Sequence, residues 1–174
     1  KTFTMHGLAY SLAANNKRVL MIDTNFKMPL PSPYTDAPTP NYAALNKAIR
    51  DNGLSDIFLE KKKNTEKPAD EHLVDILGNS GLLRSPAELI KPEQMRQFLA
   101  DLREHYDYIF LESAPLNEYS DAHELIPFVD KAIAVFNAGS SITPADKESL
   151  DYLKSIGNKL AGAVLTEVDA KAAV

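Results

Sequence analysis

The sequence contains no cysteine, and this absence excludes three kinds of chemistry at once. A chain without cysteine forms no disulfide, offers no thiolate nucleophile and holds no cysteine-ligated zinc ion. Long hydrophobic runs are also missing, because no apolar stretch approaches the roughly 18 residues that a membrane-spanning helix requires. The stability of the protein must therefore come from a packed core rather than from covalent cross-links.

Glycine is scarce as well, with 7 residues against 11 prolines in a chain of 174. Glycine-rich turns cradle phosphate groups in many nucleotide-binding proteins, so the chain is poor in the residue that such turns need most. Hydrophobic residues make up 44% of the chain and charged residues 25%, a balance typical of a globular protein with a core. Length and composition together predict a single domain over residues 1–174.

Positive charge is the minor sign, and the formal net charge is −5. Nucleic-acid surfaces need clustered Lys and Arg, so we expect no nucleic-acid partner. The one basic run, at residues 61–63, lies between Glu60 and Glu66 and is interpreted as part of a solvated loop. Five prolines between residues 29 and 40 predict a second, extended loop, because proline removes a backbone donor and disfavours helix at the preceding residue.

Between these loops, short apolar runs alternate with helical periodicity. The apolar runs are residues 18–23, 73–77, 106–111, 132–136 and 161–165. Continuous runs of this length are typical of strands buried on both faces of a parallel sheet. Helical patterns occupy residues 2–15, 92–102 and 143–157. The alternation predicts a three-layer α/β/α fold with a mainly parallel sheet, in which ligands bind beyond the carboxyl ends of the strands.

Three segments carry polar residues to that predicted edge of the sheet. Lys1 and Thr2 stand at the start of the first helical pattern; one apolar run ends in Asp23, and another is followed directly by Glu112. A lysine followed by a hydroxyl residue at a helix start is the arrangement that binds phosphate and magnesium in phosphate loops. An acid at the end of a buried strand is either a functional carboxylate or a cap for the following turn. Each segment is weak evidence alone, but their order and spacing are informative.

In this order the segments resemble the deviant-Walker P-loop ATPases, and among them the bacterial tyrosine kinases of capsule and exopolysaccharide export. The segments that carry the resemblance are residues 1–4, 17–23, 53–57, 85–90, 106–115 and the last two strands with their flanks, up to residue 169. The resemblance covers essentially the whole chain. It implies a P-loop NTPase-like fold and, in an active member, ATP-dependent phosphorylation of tyrosine with magnesium.

The resemblance assigns roles to individual residues. Lys1 would hold the nucleotide phosphates, and Thr2 would bind both the nucleotide and the magnesium ion. Asp23, the first acid of the motif after the first strand, would be the catalytic base that takes the proton of the tyrosine hydroxyl.

Three further site positions depart from the pattern of the family. Asn25 stands where a second acid supports the metal at the nucleotide site; it keeps an acceptor oxygen but loses a negative charge. Lys27, also at the nucleotide site, replaces an arginine and loses bidentate geometry. Glu112 replaces the aspartate that holds magnesium through water, and its extra methylene moves the charge by about 1.5 Å. An active kinase and a non-catalytic regulatory domain of a polysaccharide co-polymerase therefore both stay open.

The resemblance also implies a wider context. The glycines of the family's phosphate loop and the strand that leads into them precede the lysine that corresponds to Lys1, so we expect that this chain lacks both. The family further implies a cytoplasmic location at the inner face of the bacterial inner membrane. Its partner would be a membrane polysaccharide co-polymerase, in the same or a separate chain, and the full-length protein would form homo-oligomers.

A partitioning-type ATPase is the alternative enzyme, since it shares the deviant-Walker fold. It would hydrolyse ATP on stimulation by a partner and would form no phosphotyrosine. Residues 53–56 and 85–89 favour the kinase family over this alternative.

Overall fold

The computed structural model of the chain describes residues 1–30, 41–61 and 74–168, in which helices and strands alternate. The helices are α1 (Thr2–Ala13), α2 (Tyr42–Asp51), α3 (Pro86–Leu89), α4 (Pro92–Arg103), α5 (Asp121–Leu125) and α6 (Pro144–Ser155). The strands are β1 (Val19–Asp23), β2 (Val74–Leu77), β3 (Tyr108–Glu112), β4 (Ala132–Asn137) and β5 (Leu160–Thr166). Every apolar run that was predicted to be a strand therefore overlaps one, and the ends differ by no more than two residues.

The strands pair in parallel throughout the described part of the chain. One sheet has the order β2-β1-β3, and a separate two-stranded sheet consists of β4 and β5. Parallel neighbours need crossover connections, and the helices between consecutive strands supply them. The predicted α/β fold with parallel strands is confirmed.

The core is built around β1, whose side chains alternate between two hydrophobic clusters. Leu20 and Ile22 face the larger cluster, which contains residues from α2 and α4, whereas Val19 and Met21 face a smaller cluster under α1. Alternation follows from the strand period of two residues. Full burial of an aliphatic side chain of this size contributes about 1.5–3 kcal/mol, so the buried side chains of β1 stabilise the packing on both faces of the sheet.

Helix α4 illustrates how local sequence determines a packed element. Proline occupies its first position, where a backbone N–H would have no partner within the helix, so its absence costs no hydrogen bond. The four apolar side chains at helical spacing are all buried, as predicted: Met95, Phe98, Leu99 and Leu102. The ring of Phe98 stacks on Phe58 with centroids 5.4 Å apart, which ties the helix to the segment after α2.

The prediction that all five strands are buried on both faces is wrong for three of them. Tyr108 of β3 and Ile133 of β4 are each 44% exposed, and no residue of β5 is buried. Among the described residues β3 pairs only with β1 and β4 only with β5, so each of these strands keeps an unpaired edge. An apolar run indicates a strand, but its burial depends on neighbours that the run does not specify.

The structure describes only part of the two predicted loops. Most of the proline-rich stretch (residues 31–40) and most of the basic stretch (residues 62–73) lie outside the described residues. At Lys61 the prediction of a solvated loop is wrong, because this residue is buried. Its backbone N–H donates to Asn46 Oδ1 (2.7 Å), and its carbonyl accepts from Asn46 Nδ2 (2.6 Å).

No helix in the described ranges is both long enough and apolar enough to cross a bilayer.

Candidate functional site

The two strand-terminal acids lie side by side at the carboxyl edge of the three-stranded sheet. The parallel register of β1 and β3 places Asp23 opposite Glu112. Immediately beyond, both the backbone N–H and the hydroxyl of Thr24 donate to the Glu112 carbonyl, at 3.1 and 2.9 Å. The two acids are therefore neighbours, and the hydrogen bonds from Thr24 hold the ends of β1 and β3 together.

The start of α1 lies against the same edge. The Thr2 hydroxyl donates to Glu112 Oε1, and the Lys1 amine donates to the carbonyl of Ser113. Lys1 Nζ is 3.8 Å from Glu112 Oε1. One buried carboxylate thus lies beside the positive end of a helix, a lysine amine and a threonine hydroxyl. This combination is suited to binding an anion together with its bound cation.

Glu112 has spare capacity for a ligand. The residue is 5% exposed, and its Oε2 accepts no hydrogen bond from any described residue. A buried acceptor normally has a partner, so this oxygen is a candidate for a metal ion or its bound water. Groups of three or more His, Asp or Glu suited to a metal do not occur among the described residues. Magnesium is commonly held by one or two carboxylates together with substrate phosphates and water, so Thr2 and Glu112 fit this ion.

Asp23 is buried and shapes the segment that follows β1, residues 24–30, here called the β1 loop. Its carboxylate accepts hydrogen bonds from the backbone N–H of Asn25 (3.0 Å) and of Leu30 (2.7 Å). Burial raises the pKa of Asp23 from 3.8 to about 6, although both backbone donors act to lower it. The residue caps the turn after its strand, and it also has the pKa of a group able to accept a proton near neutral pH.

Asn25 is also buried, and its side chain serves its own loop. Its Oδ1 accepts from the backbone N–H of Met28 at 3.3 Å. On the other side, the Asn79 side-chain amide donates to the carbonyls of Asp23 (3.1 Å) and Asn25 (3.4 Å). Sequence reasoning missed Asn79. It is a polar residue just beyond the carboxyl end of β2, and ligands bind beyond the carboxyl ends of strands in folds of this kind.

Lys27 is held by an acid that the sequence did not single out. Its amine lies 2.6 Å from Asp121 Oδ1 and 4.8 Å from the centroid of the Tyr119 ring. Asp121 begins the short helix α5, where an acid is an ordinary residue, so no sequence signal marks it. The role of Lys27 at the nucleotide site stays a prediction, as do the metal role of Asn25 and the catalytic role of Asp23.

Comparisons with known proteins agree with the resemblance drawn from the sequence, although no family model matches the chain. The tyrosine-protein kinase YwqD of Bacillus subtilis is 24% identical over 168 residues, covering 95% of this chain and 66% of that protein. The tyrosine-protein kinase Etk of Escherichia coli K12 is 25% identical over 173 residues, covering 97% of this chain and 22% of that protein.

Solved structures show the same fold. The kinase domain of VpsO superposes with a TM-score of 0.66 at 26% identity, covering 97% of this chain and 79% of the solved one. The chain therefore aligns along almost its whole length, while it spans only part of each of these relatives. The resemblance to bacterial tyrosine kinase domains is confirmed in sequence and in fold.

Proposed function

Because the chain is similar throughout to bacterial tyrosine kinases and has the fold of their kinase domains, we propose that it forms part of a protein-tyrosine kinase that uses ATP and magnesium. The observation that carries this proposal is the contact of the Thr2 hydroxyl with Glu112, beside the Lys1 amine and the buried Asp23. The kinase family places its phosphate-binding, metal-binding and proton-accepting groups in this order along the chain.

Each residue at the edge has a defined task in the proposed reaction. Lys1 and the positive end of α1 bind and orient the phosphates, and Thr2 with Glu112 holds the metal ion. When bound, magnesium neutralises charge on the phosphates and ATP supplies the phosphoryl group. Asp23 accepts the proton of the incoming tyrosine hydroxyl at a carboxylate oxygen. Burial of both acids excludes water from their surroundings and strengthens electrostatic interactions there.

The biological setting follows from the family resemblance and belongs to the same proposal. The full-length protein would act in capsule or exopolysaccharide production, in the cytoplasm at the inner face of the bacterial inner membrane. Its partner would be a membrane polysaccharide co-polymerase, in the same or a separate chain. We also expect the full-length protein to form homo-oligomers and to bind no nucleic acid.

A regulatory domain without kinase activity is the second candidate, and the environment of Asn25 favours it. The family's second acid is replaced by an amide that is buried and bonded to Met28 of its own loop. A site with one carboxylate fewer holds a divalent cation more weakly. In this version nucleotide binding persists, while transfer to tyrosine is lost.

Transfer of phosphate from γ-labelled ATP to tyrosine tests these candidates in the full-length protein. The kinase predicts magnesium-dependent phosphotyrosine that is lost in Asp23→Asn. Asp130→Asn is the matched control, because Asp130 is a surface acid paired with Arg103 at 3.2 Å. It should leave labelling unchanged.

The other outcomes separate the alternatives. Nucleotide binding without phosphotyrosine would support the regulatory domain. ATP hydrolysis that a partner stimulates, again without phosphotyrosine, would support the partitioning-type ATPase. Failure of the wild-type protein to bind magnesium and ATP in calorimetry would contradict every enzymatic version.

A further inference from the structure

Lys27 and Asp121 link the two loops that follow the acid-bearing strands. Lys27 lies in the β1 loop, after Asp23, whereas Asp121 directly follows residues 113–120, the loop after β3 and Glu112. Lys27 contacts Tyr119 within this second loop, with its amine 4.8 Å from the ring centroid, and the Asp121 carboxylate directly after it, at 2.6 Å. The pair therefore bridges the two polypeptide segments that extend from the candidate catalytic edge.

Asp121 is buried and Lys27 is partly buried, which restricts the access of a ligand to the pair. Asp121 is 1% exposed, and the side chain of Lys27 is 17% exposed. Asp121 Oδ2 accepts no hydrogen bond from the described residues, so Lys27 provides the compensation that its buried charge requires. Withdrawal of Lys27 to bind a phosphate would leave that carboxylate unpaired. Lys27 is accordingly better placed to anchor a loop than to bind a nucleotide.

Asp121 stands on a rigid support. Its helix α5 buries Leu125 in the larger hydrophobic cluster. On the same helix, the Glu124 carboxylate accepts a hydrogen bond from the backbone N–H of Ala87 at 2.9 Å, which joins α5 to the start of α3. A charge on such a support can fix the position of a loop that it contacts.

The loop that is fixed in this way is the one that orients Asp23. Phe26 anchors its first half in the core. The second half begins at Lys27 and ends at Leu30, whose N–H donates to Asp23 Oδ2 at 2.7 Å. Movement of Lys27 would therefore displace the backbone up to Leu30, whose N–H orients the Asp23 carboxylate.

We propose that Asp121 is a positioning residue, which holds the β1 loop through its ion pair with Lys27 and so keeps the Leu30 N–H on Asp23. This inference rests on the proposed function, since it assigns Asp23 a catalytic orientation. It adds Asp121 to the residues on which phosphotransfer depends and gives Lys27 an anchoring role in place of phosphate contact.

Amide hydrogen exchange in the nucleotide-free, full-length protein tests the anchor without relying on activity. Asp121→Asn and Lys27→Met should each accelerate exchange of the Leu30 amide by about tenfold or more, as expected for loss of a hydrogen bond to a charged acceptor. The double variant should exchange no faster than either single variant, because both changes break one link. Lys27→Arg should keep the slow exchange.

Two controls separate this local effect from general destabilisation. The Ile22 amide, within β1, should be unaffected in all variants. Asp130→Asn removes an acid from an exposed pair and should leave Leu30 unchanged. Slow Leu30 exchange in both single variants, multiplied effects in the double variant, or equal acceleration at Ile22 would each overturn the positioning role.

Kinetics give a second readout. Asp121→Asn should lower kcat by about 10–100-fold, since small misplacement of a catalytic group has effects of this size, while KM for ATP stays nearly constant. If Lys27 instead binds phosphate, Lys27→Met should raise KM whatever residue occupies position 121, which would contradict the proposal. An inactive wild-type protein would defeat the proposed kinase function, and the exchange data would still decide whether the anchor exists.

Discussion

The two parallel sheets consist of similar apolar runs, yet they differ in burial and in the groups at their carboxyl ends. β1 and β2 are buried along their entire length, whereas β4 and β5 contain no buried residue. The three-stranded sheet ends in the buried acids Asp23 and Glu112, while the two-stranded sheet ends in Asn137 and Thr166. Asn137 is exposed and Thr166 only partly buried.

The difference shows how burial prepares polar groups for chemistry. At the edge of the three-stranded sheet, burial raises the pKa of Asp23 and leaves an oxygen of Glu112 without a donor from the described residues. At the edge of the other sheet, Asn137 Nδ2 donates to Glu167 (2.9 Å), and the Thr166 hydroxyl donates to the Phe136 carbonyl (3.0 Å). Both groups have hydrogen-bond partners, and neither residue is buried. Only the first edge has the electrostatic character of a catalytic site.

Core truncation should separate the two regions most strongly. Phe98→Ala removes a fully buried ring from the larger cluster and should lower the free energy of unfolding by about 3–5 kcal/mol. Val135→Ala, on partly exposed β4, should lower it by about 1 kcal/mol. Urea denaturation of the two variants measures both values. Equal losses would show that the β4–β5 sheet is as well packed as the core around β1.

The second prediction concerns pH and the burial of Asp23. Because its pKa is about 6 when folded and 3.8 ordinarily, the native state binds more protons than the unfolded state between these values. The free energy of unfolding should therefore fall as pH rises through this window, by about 3 kcal/mol for a shift of this size. Asp23→Asn removes this contribution, and the other acids are common to both proteins. Urea denaturation from pH 4 to 7 checks it, and parallel stability profiles would disprove the raised pKa.

The smallest expected effect lies beside the exposed sheet, at the start of α6. The Thr143 hydroxyl accepts from the backbone N–H of Asp146 at 3.3 Å, and the Asp146 carboxylate accepts from the Thr143 N–H at 2.7 Å. Thr143→Ala should lower stability by about 1 kcal/mol through loss of this cap. Hydrogen exchange of the first α6 amides should increase, while β1 amides stay protected. Loss of protection in β1 would show that the two regions unfold together.

Sequence reasoning identified the strands because apolar runs reflect backbone geometry and local composition. The runs at residues 18–23 and 106–111 correctly predicted β1 and β3, and the parallel pattern placed Asp23 and Glu112 at the same edge of the sheet; that the two acids lie side by side is a finding of the structure. Helix α4 was predictable for a similar reason, since Pro92 and the apolar spacing that follows it are local signals.

Features that depend on distant partners were not predictable. The ion pair of Lys27 with Asp121 joins positions that are remote in sequence, and the sequence around each residue gives no indication of its partner. Burial of Lys61 likewise depends on Asn46 in α2. The exposure of β3 and β4 depends on which strands pair beside them, which composition does not record.

Calorimetric titration of magnesium–ATP into the full-length protein tests most directly whether the edge of the three-stranded sheet is the nucleotide site. Glu112→Gln should weaken binding by about 10–100-fold, because the variant loses the charge that supports the metal. Asn137→Ala, at the carboxyl end of β4, should bind like the wild type. Equal affinity of the wild type and Glu112→Gln, or a loss confined to Asn137→Ala, would contradict the assignment.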